Sequence, residues 1–168
     1  MLYKSTFSTS RGFMIAIADN EALYLLEFVT RKGLNEEIER LCFRTKRDIV
    51  SGRTTITDRI EQELNLYFAG SLTAFTTRVA FVGTPFQQKV WHALQTIPFG
   101  KTISYKELAQ QVGNPTSSRA VARANATNQL ALIVPCHRVI ASNGLLGGYA
   151  AGVQLKQDLL RHEAYVQG

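Results

Sequence analysis

The sequence is poor in the residues that would staple or anchor it. Two cysteines, Cys42 and Cys136, stand among 168 residues. That is too few for a disulfide framework, so a reducing compartment, the cytoplasm, is the default. No apolar run approaches the roughly 20 residues of a membrane span. The N-terminus, MLYKSTFSTS, lacks the apolar centre of a secretory signal. No membrane partner is therefore expected. Internal repeats and low-complexity tracts are missing too. Charged residues make up only 19% and hydrophobic ones 45%, a composition that excludes disorder and supplies a sizeable core. Acidic residues are scarce in one half alone. Residues 1–82 carry 11 Lys/Arg against 10 Asp/Glu, whereas residues 83–168 carry 8 against 3. The basic excess lies in the C-terminal half and favours a polyanionic partner.

What is present reads first as strands. LYKSTFST, GFMIAIA and ALYLLEFV are short β-rich runs separated by turn signals at Arg11-Gly12 and Asp19-Asn20, which predicts an antiparallel meander. Leu34, Ile38, Leu41 and Cys42 follow helical spacing, so Cys42 is expected as core. Ile60, Leu64 and Phe68 mark a second helix, with Thr57 as its cap and Gly70 as its stop. SGRTTIT and SLTAFTTRVAFVGTP read as loop or edge, the latter as a domain boundary.

From Pro85 the pattern changes to short helices. Thr84 caps one that carries Phe86, Val90 and Leu94 on a face and ends by Pro98 and Gly100. Ser104 and Glu107 form a capping box at the next. Gly113-Asn114-Pro115 breaks the chain, and Thr116 can cap a helix bearing Arg119 and Arg123. Helix, short turn, helix is the helix-turn-helix pattern. Its second helix is built of Ala, Val, Ser and Asn, whereas a major-groove reader offers long polar side chains. Small residues allow close approach to a duplex and suit the minor groove. A tightly packed core helix with solvated arginines fits the same pattern. GVQLKQDLLRHEAY forms a last helix, with Val153, Leu159 and Leu160 inward.

IVPCHRVI, residues 133–140, places a thiol, an imidazole and a guanidinium in an apolar segment. Each costs free energy to bury without a partner. LALIV before Pro135 reads as a buried strand-like run, and Pro135 favours an extended residue before it. Cys136 then emerges where a buried element meets a loop. A thiolate is the reactive form. His137 or His162 is the available base, with Glu163 to orient the imidazole. Adjacent side chains on an extended chain point apart, so a water is the better bridge from Cys136 to His137. No second Cys/His pair completes a zinc site, and no metal is expected. His92 receives no role. From spacing alone, Cys136 is either a nucleophile or inert packing.

PCHRV at 135–139 behind an apolar run resembles the active-site signature of the O6-alkylguanine-DNA alkyltransferases, the methylated-DNA–protein-cysteine methyltransferases. TPFQQKVW, ISYKELA, VGNPTSSRAV, the Asn128 region, GLLGGYAAG and KQDLLRHE fall in that family's order and spacing. The resemblance covers about residues 83–165, with a looser fit before them. It implies an α+β fold. Residues 1–82 would form a ribonuclease-H-like α/β domain. Residues 83–168 would form a mainly helical domain with a winged-helix-like helix-turn-helix. At this length the chain resembles the stand-alone bacterial type.

The resemblance also implies the roles. Cys136 accepts the alkyl group from O6-alkylguanine in double-stranded DNA, with O4-alkylthymine a second candidate substrate, and the transfer is irreversible. His137 is the base through a water, and Glu163 orients it. Asn128 braces the turn, and Tyr105 lies near the flipped nucleotide's phosphate and N3. Arg119 replaces the extruded base, and Tyr149 packs on it. The carbonyls of Cys136 and Val139 accept from the guanine amino group, and the N–H near Ala150 donates to the damaged oxygen. No cofactor and a monomer in solution are implied. Gln129, Ala122 and Ala151 depart from the family pattern, where proline, glycine and glycine are common. Three alternatives remain: a non-catalytic alkyltransferase-like damage-binding protein, a helix-turn-helix regulator and a cysteine hydrolase.

Overall fold

The computed structural model describes residues 1–167. The chain divides into two compact units, Met1–Val82 and the remainder from Gly83. The fold is mixed α+β.

The first unit begins with the antiparallel meander β1 (Leu2–Thr9), β2 (Gly12–Ala18) and β3 (Leu23–Phe28). Its turns follow from local chemistry. Gly12 takes a φ of 117°, open to glycine, and Asp19 Oδ1 accepts from the N–H groups of Glu21 and Ala22 at 2.8 and 2.9 Å. Helix α1 (Leu34–Thr45) returns the chain to β4 (Ile49–Ser51), which pairs parallel to β1 and gives the order β3-β2-β1-β4. Every residue of β2 from Met14 to Ala18 is buried, so both faces of the sheet are covered. Ile15, Ile17, Leu25 and Leu2 pack with Leu41 of α1. Alternation turns Met14 and Ala16 to the opposite face, where α2 (Thr55–Phe68) lies against β1 and β2 through Ile60, Leu64 and Tyr67.

Three details of this unit and the next correct the sequence reading. Cys42 is half-buried, because Glu37 and Leu41 mark the inward face of α1 and Cys42 lies one step round the helix from Leu41. Thr54 caps α2 one turn before Thr57, and the two threonines cap each other's N–H reciprocally. Ser117, not Thr116, is the N-cap of α5, and its side chain makes no cap hydrogen bond.

The second unit starts with α3 (Pro85–Gln95), capped by Thr84 and Gln87. It packs on α5 (Ser118–Ala126), and Trp91 Nε1 donates to the Ala124 carbonyl at 2.9 Å. Strand β5 (Ile103–Ser104) leads into α4 (Tyr105–Gln111), whose Ser104–Glu107 box closes as expected. Gly113, with φ 75°, turns α4 into α5. A short β6 (Val139–Ile140) pairs parallel to β5, and α6 (Val153–Gln167) closes the unit. Leu159 of α6 is buried and Leu160 half-buried. Val153 is exposed, against expectation, because it sits in the opening turn beyond the packed stretch.

LALIV is buried but not a strand. Ile133 N–H donates to Ala131, Val134 N–H to Leu130 and Cys136 N–H to Val134, and Leu132 takes a φ of 72°. Tight turns replace a ladder because Asn128 supplies the missing partners. Its Oδ1 accepts from Leu130 N–H at 2.9 Å and its Nδ2 donates to the Val134 carbonyl at 2.8 Å.

One carboxylate pins the connection after α2. Glu63 accepts from the hydroxyls of Thr76 and Thr77 at 2.5 and 3.0 Å, and from both backbone N–H groups. Burial pushes this carboxyl up, but the threonine hydrogen bonds outweigh it and hold it below the ordinary 4.5. A depressed carboxyl stabilises the fold above its unfolded-state pKa, and that contribution is lost as pH falls through the folded value. Glu63→Ala should lower the unfolding free energy by about 1.5–3 kcal/mol at neutral pH. In urea titrations the gap to the parent protein should narrow on acidification below pH 4.5.

Candidate active site

The site is built where α6 meets the single 3-10 turn Cys136–Arg138. The braced turn beneath it fixes the backbone, and Pro135 removes an N–H that would otherwise need a partner. All three residues of the turn are buried, Cys136 at 9% exposure and His137 at 0%. The trio therefore faces inward, and its polar groups must be matched inside.

Glu163 matches two of them. It lies on the inward face of α6 at 1% exposure. Its Oε2 is 2.8 Å from His137 Nε2. Arg138 donates through Nε to Oε1 at 2.8 Å and through Nη2 to Oε2 at 3.0 Å, a bidentate pair. The third arm of Arg138, Nη1, donates to the Ile97 carbonyl at 2.7 Å, and the guanidinium lies 5.6 Å over the Phe99 ring. Burial favours the neutral Glu163 carboxyl. The hydrogen bond from His137 and then the hydrogen bonds and charge of Arg138 override it and hold the group well below the usual carboxylate range. Glu163 is thus an anion, and His137 Nε2 carries the hydrogen it donates. Burial lowers the imidazole's own affinity for a proton, which Glu163 only partly restores. His137 is neutral, with Nδ1 as its lone-pair nitrogen. That atom is buried and has no hydrogen-bond partner in the protein. The tautomer that leaves Nδ1 basic is fixed by Glu163.

Lys156, two turns before Glu163 on α6, is fully buried at 0% exposure. Its Nζ donates to the carbonyls of Val139 at 2.6 Å and Gly148 at 3.1 Å and lies 5.9 Å over the Tyr105 ring. Burial lowers its pKa to about 8, and the charge on Cys136 opposes that shift. Tyr105, first residue of α4, is half-buried. Burial raises its phenol, and Cys136 raises it further. These mutual effects place Cys136, Lys156 and Tyr105 in one electrostatic neighbourhood.

Not all the sequence candidates converge there. Cys136, His137, Glu163 and Tyr105 do, and Asn128 holds the turn beneath them. The Val139 carbonyl is engaged by Lys156. Tyr149 and Ala150 are half-buried in the loop after β6. That loop reaches Tyr105 at Gly147, where a Cβ would stand 3.2 Å from Cε2 and 3.4 Å from the phenol oxygen; φ is 72°. Arg119 is exposed on the first turn of α5. With Arg123, Thr116, Ser117 and Ser118 it lines an open cleft of about 540 Å³, suited to an anionic strand. Among the described residues, no three His, Cys, Asp or Glu side chains converge as a metal site requires, and no helix is long and apolar enough to cross a membrane.

Sequence reasoning missed Lys156 and left Arg138 without a role. Lys156 falls three residues before Leu159 and seven before Glu163. Helical periodicity alone places it on their inward face.

The family model described as 6-O-methylguanine DNA methyltransferase, DNA binding domain, matches residues 85–165. The methylated-DNA–protein-cysteine methyltransferase of Methanosarcina acetivorans is 40% identical over 96% of this chain and 98% of that protein. The enzyme of the same name from Shigella flexneri is 50% identical over 64% of this chain and 63% of its own length. Among solved structures, Mycobacterium tuberculosis OGT in complex with DNA superposes with a TM-score of 0.84 at 37% identity, covering 98% of this chain and 94% of that one.

Arg138→Met should cost about 3–5 kcal/mol in chemical denaturation, because it leaves the Glu163 anion buried without its bidentate cationic partner. R138M/E163Q, which removes that anion as well, should be more stable than R138M alone.

Proposed function

This chain belongs to the methylated-DNA–protein-cysteine methyltransferase family, and from that premise we propose how its residues perform the transfer. The protein binds DNA and reverses guanine O-alkylation directly. Cys136 is the acceptor. The observation that carries this assignment is the buried thiol beside an imidazole whose free nitrogen, Nδ1, is set by Glu163.

His137 Nδ1 takes the thiol proton through a water, and Glu163 and Arg138 hold the ring that becomes charged. The Lys156 ammonium lies where it favours the Cys136 thiolate. The thiolate attacks the alkyl carbon. A C–S bond forms, the C–O6 bond breaks, and its electron pair stays on guanine. Tyr105 O–H donates a hydrogen bond to the departing base. The thioether is stable, so each molecule reacts once, with no cofactor.

A base inside a stack is out of reach, so the nucleotide is flipped out, at a cost of a few kcal/mol that is lower for a mispaired lesion. The geometry favours Arg119 as the side chain that fills the gap. It is exposed at the start of α5, a helix of small residues that suits close approach to the minor groove. Tyr149 packs on the extruded base, the carbonyls of Cys136 and Val139 accept from its amino group, and the N–H near Ala150 donates to its O6. The Val139 carbonyl keeps a second lone pair for this beside Lys156. The α4–α5 pair with the short β5–β6 ribbon is consistent with a winged-helix-like domain. The sheet order of the first unit, with helices on both faces, is consistent with a ribonuclease-H-like one. The protein acts as a cytoplasmic monomer.

An oligonucleotide carrying O6-methylguanine tests the assignment. Intact-mass and peptide analysis should find one methyl per molecule, on the peptide containing Cys136, with guanine restored in equal amount. Cys136→Ser should bind DNA and transfer nothing. Unmodified protein tightly bound to the lesion would make it a damage-binding protein, and preference for one undamaged sequence a regulator. Arg119→Ala should slow repair in duplex DNA by more than tenfold while leaving reaction with a free O6-alkylated guanine near the parent rate. Equal slowing on both would remove the stack-filling role.

A further inference from the structure

Arg123 has no part in the reaction described above. It stands on α5 four residues after Arg119, so the two share one face of the helix, about 6 Å apart along its axis. Both are exposed. Among the described residues, neither guanidinium has an ion-pair or hydrogen-bond partner. No acidic residue stands anywhere on α5. Like charges one turn apart on a helix repel each other, and here nothing on the helix offsets them.

The helix that carries them is a fixed platform. Val121, Ala124 and Asn125 face inward. Trp91 Nε1 donates to the Ala124 carbonyl at 2.9 Å and Gln87 Nε2 donates to Thr127 Oγ1 at 3.1 Å, which seats the end of α5 on α3. Two clefts border the outer side of α5. The first, of about 540 Å³, is the one that holds Arg119. The second, of about 330 Å³, lies between α5 and the opening turn of α3, with Thr84, Gln87 and Thr127 in its lining. Ala120 and Arg123 line both clefts and so form the ridge between them. Ala120 ends at a methyl, and Arg123 carries the length and the charge. No acid is among the residues lining either cleft.

An unmatched guanidinium on a rigid ridge, flanked by hydroxyls and amides, suits a polyanion with charge on both sides of a narrow channel. The duplex minor groove is such a channel, about 6 Å wide and walled by two phosphate backbones. Under the proposed function Arg119 fills the gap left by the extruded nucleotide, and one gap takes one side chain. Arg123, a helical turn away, stands outside that gap, against duplex that is still stacked. The strongest partners there are phosphate oxygens, which match the planar fork of a guanidinium bidentately.

We propose that Arg123 is a DNA-binding residue that grips a backbone phosphate and acts independently of base flipping. It reads neither sequence nor lesion. It supplies affinity for undamaged duplex, on which the protein is held while lesions are sought. The role rests on the DNA-binding reading of α5 given under the proposed function.

Equilibrium binding of the full chain to duplexes with and without O6-methylguanine, over a range of salt concentrations, tests this beside single-turnover transfer. Arg123→Ala should weaken binding to both duplexes by the same factor, on the order of three- to tenfold at about 0.1 M salt. It should also reduce the slope of log affinity against log salt by about 1. Arg123→Lys, which keeps the charge and loses the fork, should retain the slope and recover part of the affinity. Transfer by Arg123→Ala should slow in proportion at limiting DNA, and the deficit should shrink to less than about twofold at saturating DNA. Arg119→Ala, by contrast, should remain slow at saturation. An Arg123→Ala variant with parental affinity and salt slope overturns the proposal. So does a loss confined to the lesion duplex, which would tie Arg123 to the flipped state. A loss confined to A·T-rich or to G·C-rich duplexes would put the side chain on base edges and overturn the phosphate contact. If the parent takes no methyl while Arg123→Ala still weakens binding to both duplexes, the transfer reading fails and the phosphate contact stands. If the parent is methylated and Arg123→Ala binds as the parent does, only the contact fails.

Discussion

The Glu163 carboxylate is the constraint on which the second unit is organised. A nearly inaccessible anion is tolerated only when its oxygens are matched. Two segments supply the match: the 3-10 turn through His137 and Arg138, and the segment after α3 through the Gly100 N–H, which donates to Oε1 at 3.4 Å, while the Ile97 carbonyl of that segment holds Arg138 in place. The same knot therefore fixes the backbone path around Cys136 and the tautomer of the imidazole next to it. Structure and reactivity are not separable at this residue.

Lys156 adds a second buried charge on the same helix. Its partners are carbonyls, not an acid, so its positive charge is not cancelled. It acts on its surroundings, which are Cys136 and Tyr105. Glu163 and Lys156 divide the labour along α6. One neutralises the Arg138 cation of the turn, and the other leaves a net positive field where the proposed reaction places a thiolate and a departing anion. The scarcity of acids after residue 82 serves this field as well as the attraction of DNA.

The elements of both units were legible wherever local chemistry decides. The meander, the Thr84 cap and the Ser104–Glu107 box depend on neighbours three or four residues apart, and they stand as read. LALIV was misread because its partner is a side chain outside the run. Asn128 satisfies the backbone that a strand would have satisfied with a ladder. Cys136, His137 and Glu163, to which the proposed function gives the roles of acceptor, base and orienting acid, carried a distinctive spelling, PCHRV with KQDLLRHE. Arg138 and Lys156 did not. A lysine on a helix reads as solvated, and an arginine 25 residues before its carboxylate has no local signal.

The rigidity of the knot has a consequence for the direction of the reaction. In the proposed scheme the thiol proton moves to His137, and it can go no further inward, because Glu163 is held too acidic to receive it. A catalyst that cycles must reset its base before each round, which calls for a yielding network and a path back to solvent. A protein that reacts once is free of that demand. Its polar core can be tied as tightly as folding permits, and the spent molecule is discarded with its machinery unreset. In that scheme the site is a latch, not a wheel.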